Sequence, residues 1–443
     1  MDLKMTFAIL AGKAARAGLR LLRRPASSFP GAVALRLCPD LLRRMRLPGK
    51  IVAVTGSNGK TTTTELCYKA ARAAGIDLIC NTEGSNQIEG VTALFVRYAT
   101  LSGRVKADTA LLESDERFCQ YTFSYFAPAD VLVTNLYRDQ MTRNGHPEFV
   151  KKELAKGLPT ASRLILNADE PLSASLGAGR EAIYFGLGEA FAETERRHAY
   201  NDGAVCPLCG GEMTYTRRVD AQAGDYRCAS CGFARPSCAH EATGRRGKEL
   251  ILDGKVSVSL PMDSGVIVNN VTAAYTLLCA SFGLAPEKAA EALSGVKLGM
   301  GRYRTFSLAG HLGQFILTKH ENSMAYDGAL DKLAATKKDA TLVVIVDQLS
   351  RKYTANDMSW LWDIDFERAV TDRVRRVVLG GRFAWDLALR FDFTGMDPGR
   401  VFVKPDLDEM MDFLYAEPVG EIYVMTCFTD VNKFLGRLKE GTK

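Results

Sequence analysis

The feature that most constrains this chain is a short apolar run that breaks into a glycine turn and then opens a helix. Ile51-Val52-Ala53-Val54 leads directly into Thr55-Gly56-Ser57-Asn58-Gly59-Lys60-Thr61-Thr62. A β run feeding such a turn is the local geometry of a phosphate loop, and it commits the region to a strand–helix architecture with a parallel sheet. Gly56 and Gly59 let the backbone turn tightly, so that the N–H groups of Ser57, Asn58 and their neighbours point at phosphates. Lys60 would reach the β- and γ-phosphates of a nucleotide, and the Thr61 hydroxyl would ligate Mg²⁺, with Thr62 beside it. The dipole of the following helix favours an anion at its N-terminus. The full pattern has a glycine at position 54, where this chain has Val54, so the match is to the shorter G-x-x-G-K-T form.

The same rhythm continues. Strand-like runs at 51–56, 107–114, 129–135 and 163–169 alternate with helical stretches, which reads as a doubly wound parallel sheet. A second α/β pattern starts near Thr305, with strands at 341–347, 375–381, 400–405 and 421–427. The chain has 443 residues, and at roughly 150 residues per domain two to three domains are expected. We expect an N-terminal segment 1–48, a nucleotide-binding domain 49–304 and a C-terminal Rossmann-like α/β domain 305–443. Apolar residues at 47% and charged residues at 24% exclude wholesale disorder. The net charge of +6 is too mild to mark a nucleic-acid binder. No run approaching 18 uncharged apolar residues is evident, so no membrane-spanning helix is expected.

Acids cluster at the end of the third apolar run, as Glu113-Ser114-Asp115-Glu116. Carboxylates at a strand's C-terminal edge beside a phosphate loop are where Mg²⁺ is commonly held, and Glu113, nearest the strand, is the expected ligand. The eleven cysteines include two C-x-x-C pairs, Cys206/Cys209 and Cys228/Cys231, separated by eighteen residues and each followed by glycine. This is the spacing of a closed four-thiolate zinc ribbon, inserted at 203–235, with Cys238 and His240 as competing ligands. The odd cysteine count and the absence of a cleavable secretory signal point to a reducing, cytoplasmic compartment. In the N-terminal segment, Lys13, Arg16, Arg20 and Arg23 recur at helical spacing, as do Phe7, Leu10, Ala14, Ala17 and Leu21. Such a helix can lie on an anionic membrane face, or pack on its own domain with a solvated basic side.

At these residues the chain resembles the Mur ligase superfamily, the ATP-dependent amide-forming enzymes of peptidoglycan synthesis. Their G-T-x-G-K-T-T loop is close to Gly56–Thr62. Their N-x-x-x-D-H segment is echoed by Asn135 and Asp139-Gln140, and their N-x-D-D element by Asn167-Ala168-Asp169-Glu170. Their adenine-side asparagine matches Asn270, and the nucleotide-facing arginine of G-R-x-E matches Arg302. Gln140 stands where a histidine helps hold a second Mg²⁺, and only fifty residues precede the phosphate loop, where a sugar-nucleotide domain would sit. These departures fit one branch, which carries a four-cysteine ribbon and a distinct C-terminal domain and works as a heterodimer with a GatD-like glutaminase.

In that branch a D-x-S-W-I-W-D-x-D-F-E signature is matched by Asp357-Met358-Ser359-Trp360-Leu361-Trp362-Asp363-Ile364-Asp365. The resemblance implies that Asp357 completes the partner's Cys-His pair, with Asp363 or Asp365 as the next candidates, and that Trp360 and Trp362 anchor the interface. Lys319 matches a lysine usually followed by Asn-Pro, where this chain has His320-Glu321. The implied reaction is amidation of the α-carboxylate of D-glutamate in the lipid II stem peptide, through an acyl phosphate. Lys60 would act on the phosphates, and Mg²⁺ would be held by Thr61 and Glu113. The chain has no G-x-C-x-G nucleophile turn and only five histidines, so glutamine hydrolysis is expected on another subunit. A ligase adding a free amino acid, and a zinc-stabilised module using ATP as a switch, are the alternatives.

Overall fold

A computed structural model describes residues 2–82, 85–159, 162–193, 200–220, 222–262, 264–299, 303–349, 356–427 and 430–438. The chain divides into two units. The first comprises residues 1–137, 147–196 and 201–298, and the second residues 138–146, 197–200 and 299–443.

The first unit is built on nine strands. These are β1 (Lys50–Thr55), β2 (Ile79–Cys80), β3 (Thr109–Glu113), β4 (Asp130–Val133), β5 (Arg163–Asn167), β6 (Ala182–Leu187), β9 (His240–Arg246), β10 (Glu249–Leu252) and β11 (Val256–Ser259). They lie in the order β11-β10-β9-β6-β5-β4-β1-β3-β2. The strands from β2 to β9 pair in parallel, while β9, β10 and β11 form an antiparallel meander at one edge. Between β6 and β9 the chain leaves the sheet to make a separate two-stranded ribbon, β7 (Met213–Arg218) with β8 (Gly224–Cys228).

Alternation along β1 shows why the sheet is buried on both faces. Val52 and Val54 join one apolar cluster with Leu66, Ala70, Val271 and Leu278. Ile51 belongs to a second cluster with Val91 and Phe95, and Ala53 to a third with Val150 and Leu154. Successive side chains on a strand point to opposite faces, so each face needs its own cover of helices. The helix Gly265–Phe282 supplies part of one cover. By length and composition alone it could cross a membrane, but two-thirds of it is buried inside the unit, where it serves as a core helix.

The N-terminal helices are part of this unit. They are α1 (Leu3–Leu21), α2 (Phe29–Leu37) and α3 (Leu41–Arg44), preceding α4 (Lys60–Ala73) and α5 (Ile88–Tyr98). Asp2 caps α1 by accepting from the Met5 amide at 3.1 Å. The face of α1 that packs is Met5, Ala8, Ile9 and Gly12. The apolar set read from the sequence (Phe7, Leu10, Ala14, Ala17 and Leu21) faces solvent. Gly12 allows the close approach, since a Cβ there would sit 2.9 Å from Val96 Cγ1.

The second unit holds six strands, β12 (Tyr303–Leu308), β13 (His311–Leu317), β14 (Ala340–Ile345), β15 (Val374–Gly380), β16 (Val401–Lys404) and β17 (Glu421–Thr426), in the order β12-β13-β17-β14-β15-β16. Among the described residues of this unit, only the β12–β13 hairpin is antiparallel. Both faces of β14 are buried, which accounts for its unbroken Leu-Val-Val-Ile sequence.

Candidate active site and cysteine cluster

The sheet order places β1 between β3 and β4, so the order in which strands are added reverses beside β1. Ligands of open α/β sheets bind at the carboxyl ends of strands at such a switch point. The phosphate loop leaves β1 there, Glu113 ends β3, and Thr134 and Asn135 follow β4.

Gly56 has φ of 125° and Gly59 has φ of 82°, conformations that side chains other than glycine rarely adopt. The loop is tied down from β4. Asn135 accepts from the Ser57 amide through its carbonyl at 2.8 Å and from the Asn58 amide through Oδ1 at 3.0 Å. Thr134 Oγ1 donates to the Asn58 carbonyl at 2.6 Å. Asn270 is buried on the helix Gly265–Phe282, and a Cβ on Gly59 would meet its Oδ1 at 2.1 Å. It thus fixes how closely the start of α4 can approach. Lys60 is buried, donates to the carbonyls of Gly56 and Ser57, and forms an ion pair with Glu116 Oε2 at 2.8 Å.

Glu113 lies in register with Val54 of β1. Its backbone is bracketed by Asn81, whose Oδ1 accepts from the Glu113 amide at 2.8 Å, and Asn86 Nδ2 donates to Glu113 Oε1 at 3.2 Å. The carboxylate in contact with Lys60 is therefore Glu116, while Glu113 sits one strand over, held by two asparagines that sequence reasoning missed. Thr61 is exposed at the first turn of α4, and Thr62 is half-buried. The donor set suits a nucleotide with Mg²⁺: glycines whose space is already filled, a buried cation, a helix N-terminus and a carboxylate at the neighbouring strand end. Arg302 lies outside the described residues.

The Asn167-Ala168-Asp169-Glu170 element does something its sequence did not announce. Asp169 accepts from Arg235 Nε at 2.7 Å and from the Leu187 amide at 2.7 Å. Glu170 accepts from the amides of Leu136, Leu172 and Ser173 and from Gln222 Nε2 at 3.1 Å. Tyr226 donates to the Ala168 carbonyl at 3.0 Å. Arg235, Gln222 and Tyr226 belong to the inserted ribbon, so this strand end clamps the ribbon to the sheet. Burial pushes the Asp169 carboxyl up to about 6, with Arg235 opposing.

The four ribbon cysteines converge. Cys206 and Cys231 sulfurs are 3.7 Å apart, and Cys209 and Cys228 sulfurs 3.5 Å, with all four within 4.8 Å of one another. A tetrahedral zinc with arms of about 2.3 Å has edges of about 3.8 Å, so the cluster fits that ion. Amides of Gly211 and Cys231 point at the sulfurs of Cys209 and Cys228. Cys238 and His240 stand outside the cluster, His240 being engaged by Asp253 at 2.8 Å.

In the second unit, Asp139 accepts from Asn322 Nδ2 at 2.7 Å and pairs with Lys319 Nζ at 3.2 Å. Gln140 has φ of 50°, and its amide donates to the Glu321 carbonyl at 2.9 Å. Glu321 Oε2 accepts from both the amide and the hydroxyl of Thr142. Lys319, Glu321 and Asn322 thus form a polar cradle around the 138–146 segment. His320 is buried between Tyr326 at 3.0 Å and Asp430 at 3.5 Å, beside Cys427.

Asp357 is exposed on the loop before a short 3-10 turn, Ser359–Asp363, and accepts from the Ser359 amide at 2.9 Å. That bond holds its carboxyl below the usual range. The reserve candidates are already engaged: Asp363 pairs with Arg138, and Asp365 with Arg368 at 2.9 Å. Trp360 is 3% exposed and packs with Tyr326 and His320, so it is a core residue and not the interface anchor expected. Trp362 is 47% exposed. It meets Phe393 edge-on at 5.2 Å, and Trp385, Leu389 and Phe393 form an exposed row along and just beyond the helix Ala384–Asp392. Sequence reasoning missed this row, although its spacing of four residues was a legible signal.

Comparison with known proteins agrees with both units. The Mur ligase middle domain family model matches residues 54–215, and the MurT ligase C-terminal model matches residues 319–431. The chain is 27% identical to the lipid II isoglutaminyl synthase (glutamine-hydrolyzing) subunit MurT of Streptococcus pneumoniae, over 98% of this chain and 97% of that one. It is 27% identical to the subunit of the same name from Staphylococcus aureus strain COL, over 86% of each. Among solved structures, a pseudomurein peptide ligase type C from Methanothermus fervidus superimposes with a TM-score of 0.66 at 20% identity, over 90% of this chain and 80% of the other. MurF from Acinetobacter baumannii does so with a TM-score of 0.63 at 16% identity, over 91% and 79%. The phosphate loop on a Mur-type sheet, the cysteine ribbon and the C-terminal unit thus converge on one assignment: the chain belongs to the MurT family of Mur ligases.

Proposed function

We propose that this chain is the synthase subunit of a lipid II isoglutaminyl synthase, an ATP-dependent carbon–nitrogen ligase of peptidoglycan synthesis. It amidates the α-carboxylate of D-glutamate in the lipid II stem peptide to D-isoglutamine. The observation that carries this reading is the end-to-end similarity to a subunit of that enzyme, on a chain whose phosphate-loop residues are positioned for nucleotide.

The chemistry follows from the donors. An oxygen of the substrate carboxylate attacks the γ-phosphorus of ATP, and the bond to the β-phosphate oxygen breaks, giving an acyl phosphate and ADP. Ammonia then attacks the acyl carbon, the C–O bond to phosphate breaks with its electron pair, and the nitrogen loses a proton. Lys60 supplies a fixed positive charge at the β/γ position, and the amides of the Gly56–Thr62 turn supply donors that need no reorganisation. For Lys60 to serve the phosphates it must give up Glu116, so an arriving γ-phosphate takes over that ion pair. Thr61 and Glu113 would hold Mg²⁺, which offsets phosphate charge when bound. Cys206, Cys209, Cys228 and Cys231 would hold zinc in a closed, structural site. Asn270 and Arg302 are the remaining nucleotide contacts.

The partner is a GatD-like glutaminase that supplies the ammonia. Asp357, exposed and ionised, is the carboxylate offered to its Cys-His pair. Trp362 with the row Trp385, Leu389 and Phe393 is an unpartnered apolar face on the same unit, which suits a docked subunit. The working location is the cytoplasmic side of the membrane that carries the lipid-linked substrate.

The test is ADP release and amide formation with lipid II, comparing ammonia, glutamine with the co-expressed glutaminase, and free amino acids. Turnover with ammonia and with glutamine is expected. Turnover with a free amino acid alone would move the chain to the amino-acid-adding ligases.

A further inference from the structure

Helix α1 carries two apolar faces, and only one of them is used. At about 100° per residue, Met5, Ala8, Ile9 and Gly12 centre nearly opposite Leu3, Phe7, Leu10, Ala14, Ala17 and Leu21. The first set is packed against α2 and α5. The second is open to solvent, with Leu3 75%, Phe7 60%, Leu10 51% and Leu21 86% exposed. Leu22 and Phe29, just beyond the helix, are 67% and 56% exposed.

The charge around this stripe is one-sided. Between Leu3 and Pro39 there are seven basic residues (Lys4, Lys13, Arg16, Arg20, Arg23, Arg24 and Arg36) and no acid. Lys4, Arg20, Arg23, Arg24 and Arg36 are exposed. The two flanking acids, Asp2 and Asp40, are both taken up by Arg44.

We propose that this face of α1, with the Leu22–Phe29 turn, is a docking surface for an anionic lipid bilayer. A helix lying in the interface needs an apolar stripe to enter the acyl boundary and cations at headgroup level, and α1 supplies both. The packed face means that α1 is already folded and already attached, so binding orders no new chain and transfers its hold on the membrane to the whole nucleotide-binding unit. A second copy of this chain is a poor occupant, because it would bring seven more positive charges against these. A lipid surface supplies the opposite charge over the whole length of the stripe. The inference deepens the reading that the substrate is lipid-linked, but its evidence is independent of that reading.

The test uses the full chain with vesicles that contain no lipid II. Co-sedimentation is compared for phosphatidylglycerol/phosphatidylcholine (3:7) vesicles and pure phosphatidylcholine vesicles, at low and high salt. The parent is expected to sediment with the anionic vesicles and at least tenfold less with the neutral ones, with binding weakened by salt. F7S/L10S changes only exposed side chains and should cut binding at least tenfold while leaving the thermal midpoint within a few degrees. R20E/R23E should do the same. Failure of the parent to bind anionic vesicles, or equal binding by F7S/L10S, overturns the proposal. So does a change in the oligomeric state of F7S/L10S, which would make the stripe a contact between copies. Amidation of detergent-dispersed lipid II is measured in parallel. If amidation persists without vesicle binding, the surface inference falls alone; if binding persists without amidation, the functional reading falls alone.

Discussion

The nucleotide cleft and the Asp357 loop carry chemistry in opposite ways. In the cleft the polar groups named above are buried or half-buried and already paired: Lys60 with Glu116, Glu113 with Asn86, and Asn135 with the loop amides. Around Asp357 the carboxylate is exposed and accepts from the amide of Ser359 in the next turn, and Trp362, Trp385, Leu389 and Phe393 lie open. A site for a small anion can be completed within one chain, because backbone amides and a lysine satisfy it. A site that needs a second protein leaves apolar area unburied until that protein arrives. Substitutions should therefore separate into those that stop the chemistry from any nitrogen source and those that stop only one.

The largest effect is expected at Lys60. Lys60→Ala removes the point charge at the transferring phosphoryl group, and loss of one such electrostatic contact costs about 10²–10³-fold in rate or more. It also leaves Glu116 buried without its cation. ADP release should become undetectable with ammonia and with glutamine alike, and circular dichroism should show a folded chain. Normal ADP release from Lys60→Ala would sink the nucleotide assignment.

Asp357→Asn should act on one route only. Loss of the carboxylate that orients a catalytic histidine costs up to about 10⁴-fold in triad enzymes. Glutamine-driven amidation should fall on that scale, while ammonia-driven amidation stays near the parent. Equal loss on both routes would make Asp357 a structural residue of its turn. Asp363 and Asp365 cannot stand in without first giving up Arg138 and Arg368.

The contrast also explains what the sequence made legible. The cleft was readable because its constraints are local: a β run, two glycines at positive φ, a lysine and an acid at the next strand end are each visible within a few residues. What was not readable depended on contacts far apart in the chain. The buried ion pair of Lys60 with Glu116 joins residues 56 apart in the chain. Asp169 and Glu170 matched a family element by sequence, but that match did not show that they hold the ribbon through Arg235 and Gln222. On α1 the apolar period was right, but which of two apolar faces is buried depends on α2 and α5. Trp360 and Trp362 are two residues apart and could not be told apart by motif. Only packing shows that Trp360 lies against Tyr326 and His320 while Trp362 faces out.

The cysteine ribbon gives a third kind of behaviour, since it touches neither reaction. The parent is expected to hold one zinc ion per chain by metal analysis, and Cys228→Ser should abolish it. It should lower the thermal midpoint, because a structural zinc site contributes folding free energy directly. Any folded fraction should keep its ADP release per active site. Zinc retained in a C206S/C228S double variant, or no zinc in the parent purified without chelator, would remove the ion from the account.

The smallest effect, and the sharpest test of the comparison, is at the exposed row. Trp362→Ala removes a half-exposed aromatic that touches Phe393 and lies near Arg390. If the row is where the glutaminase docks, a central aromatic there is worth about 2 kcal/mol, or roughly 30-fold in Kd. Amidation with glutamine should then depend on partner concentration and recover fully when the partner is in excess. Asp357→Asn should not recover that way, because its defect lies in the partner's histidine and not in assembly. Trp360→Ala serves as the control: it empties a core position and should cost about 3–5 kcal/mol of stability with no selectivity between nitrogen sources. If Trp362→Ala leaves the Kd unchanged while Trp385→Ala and Phe393→Ala do too, the open apolar row is ordinary surface. The Asp357 loop would then have to be presented to the partner by other residues of the second unit.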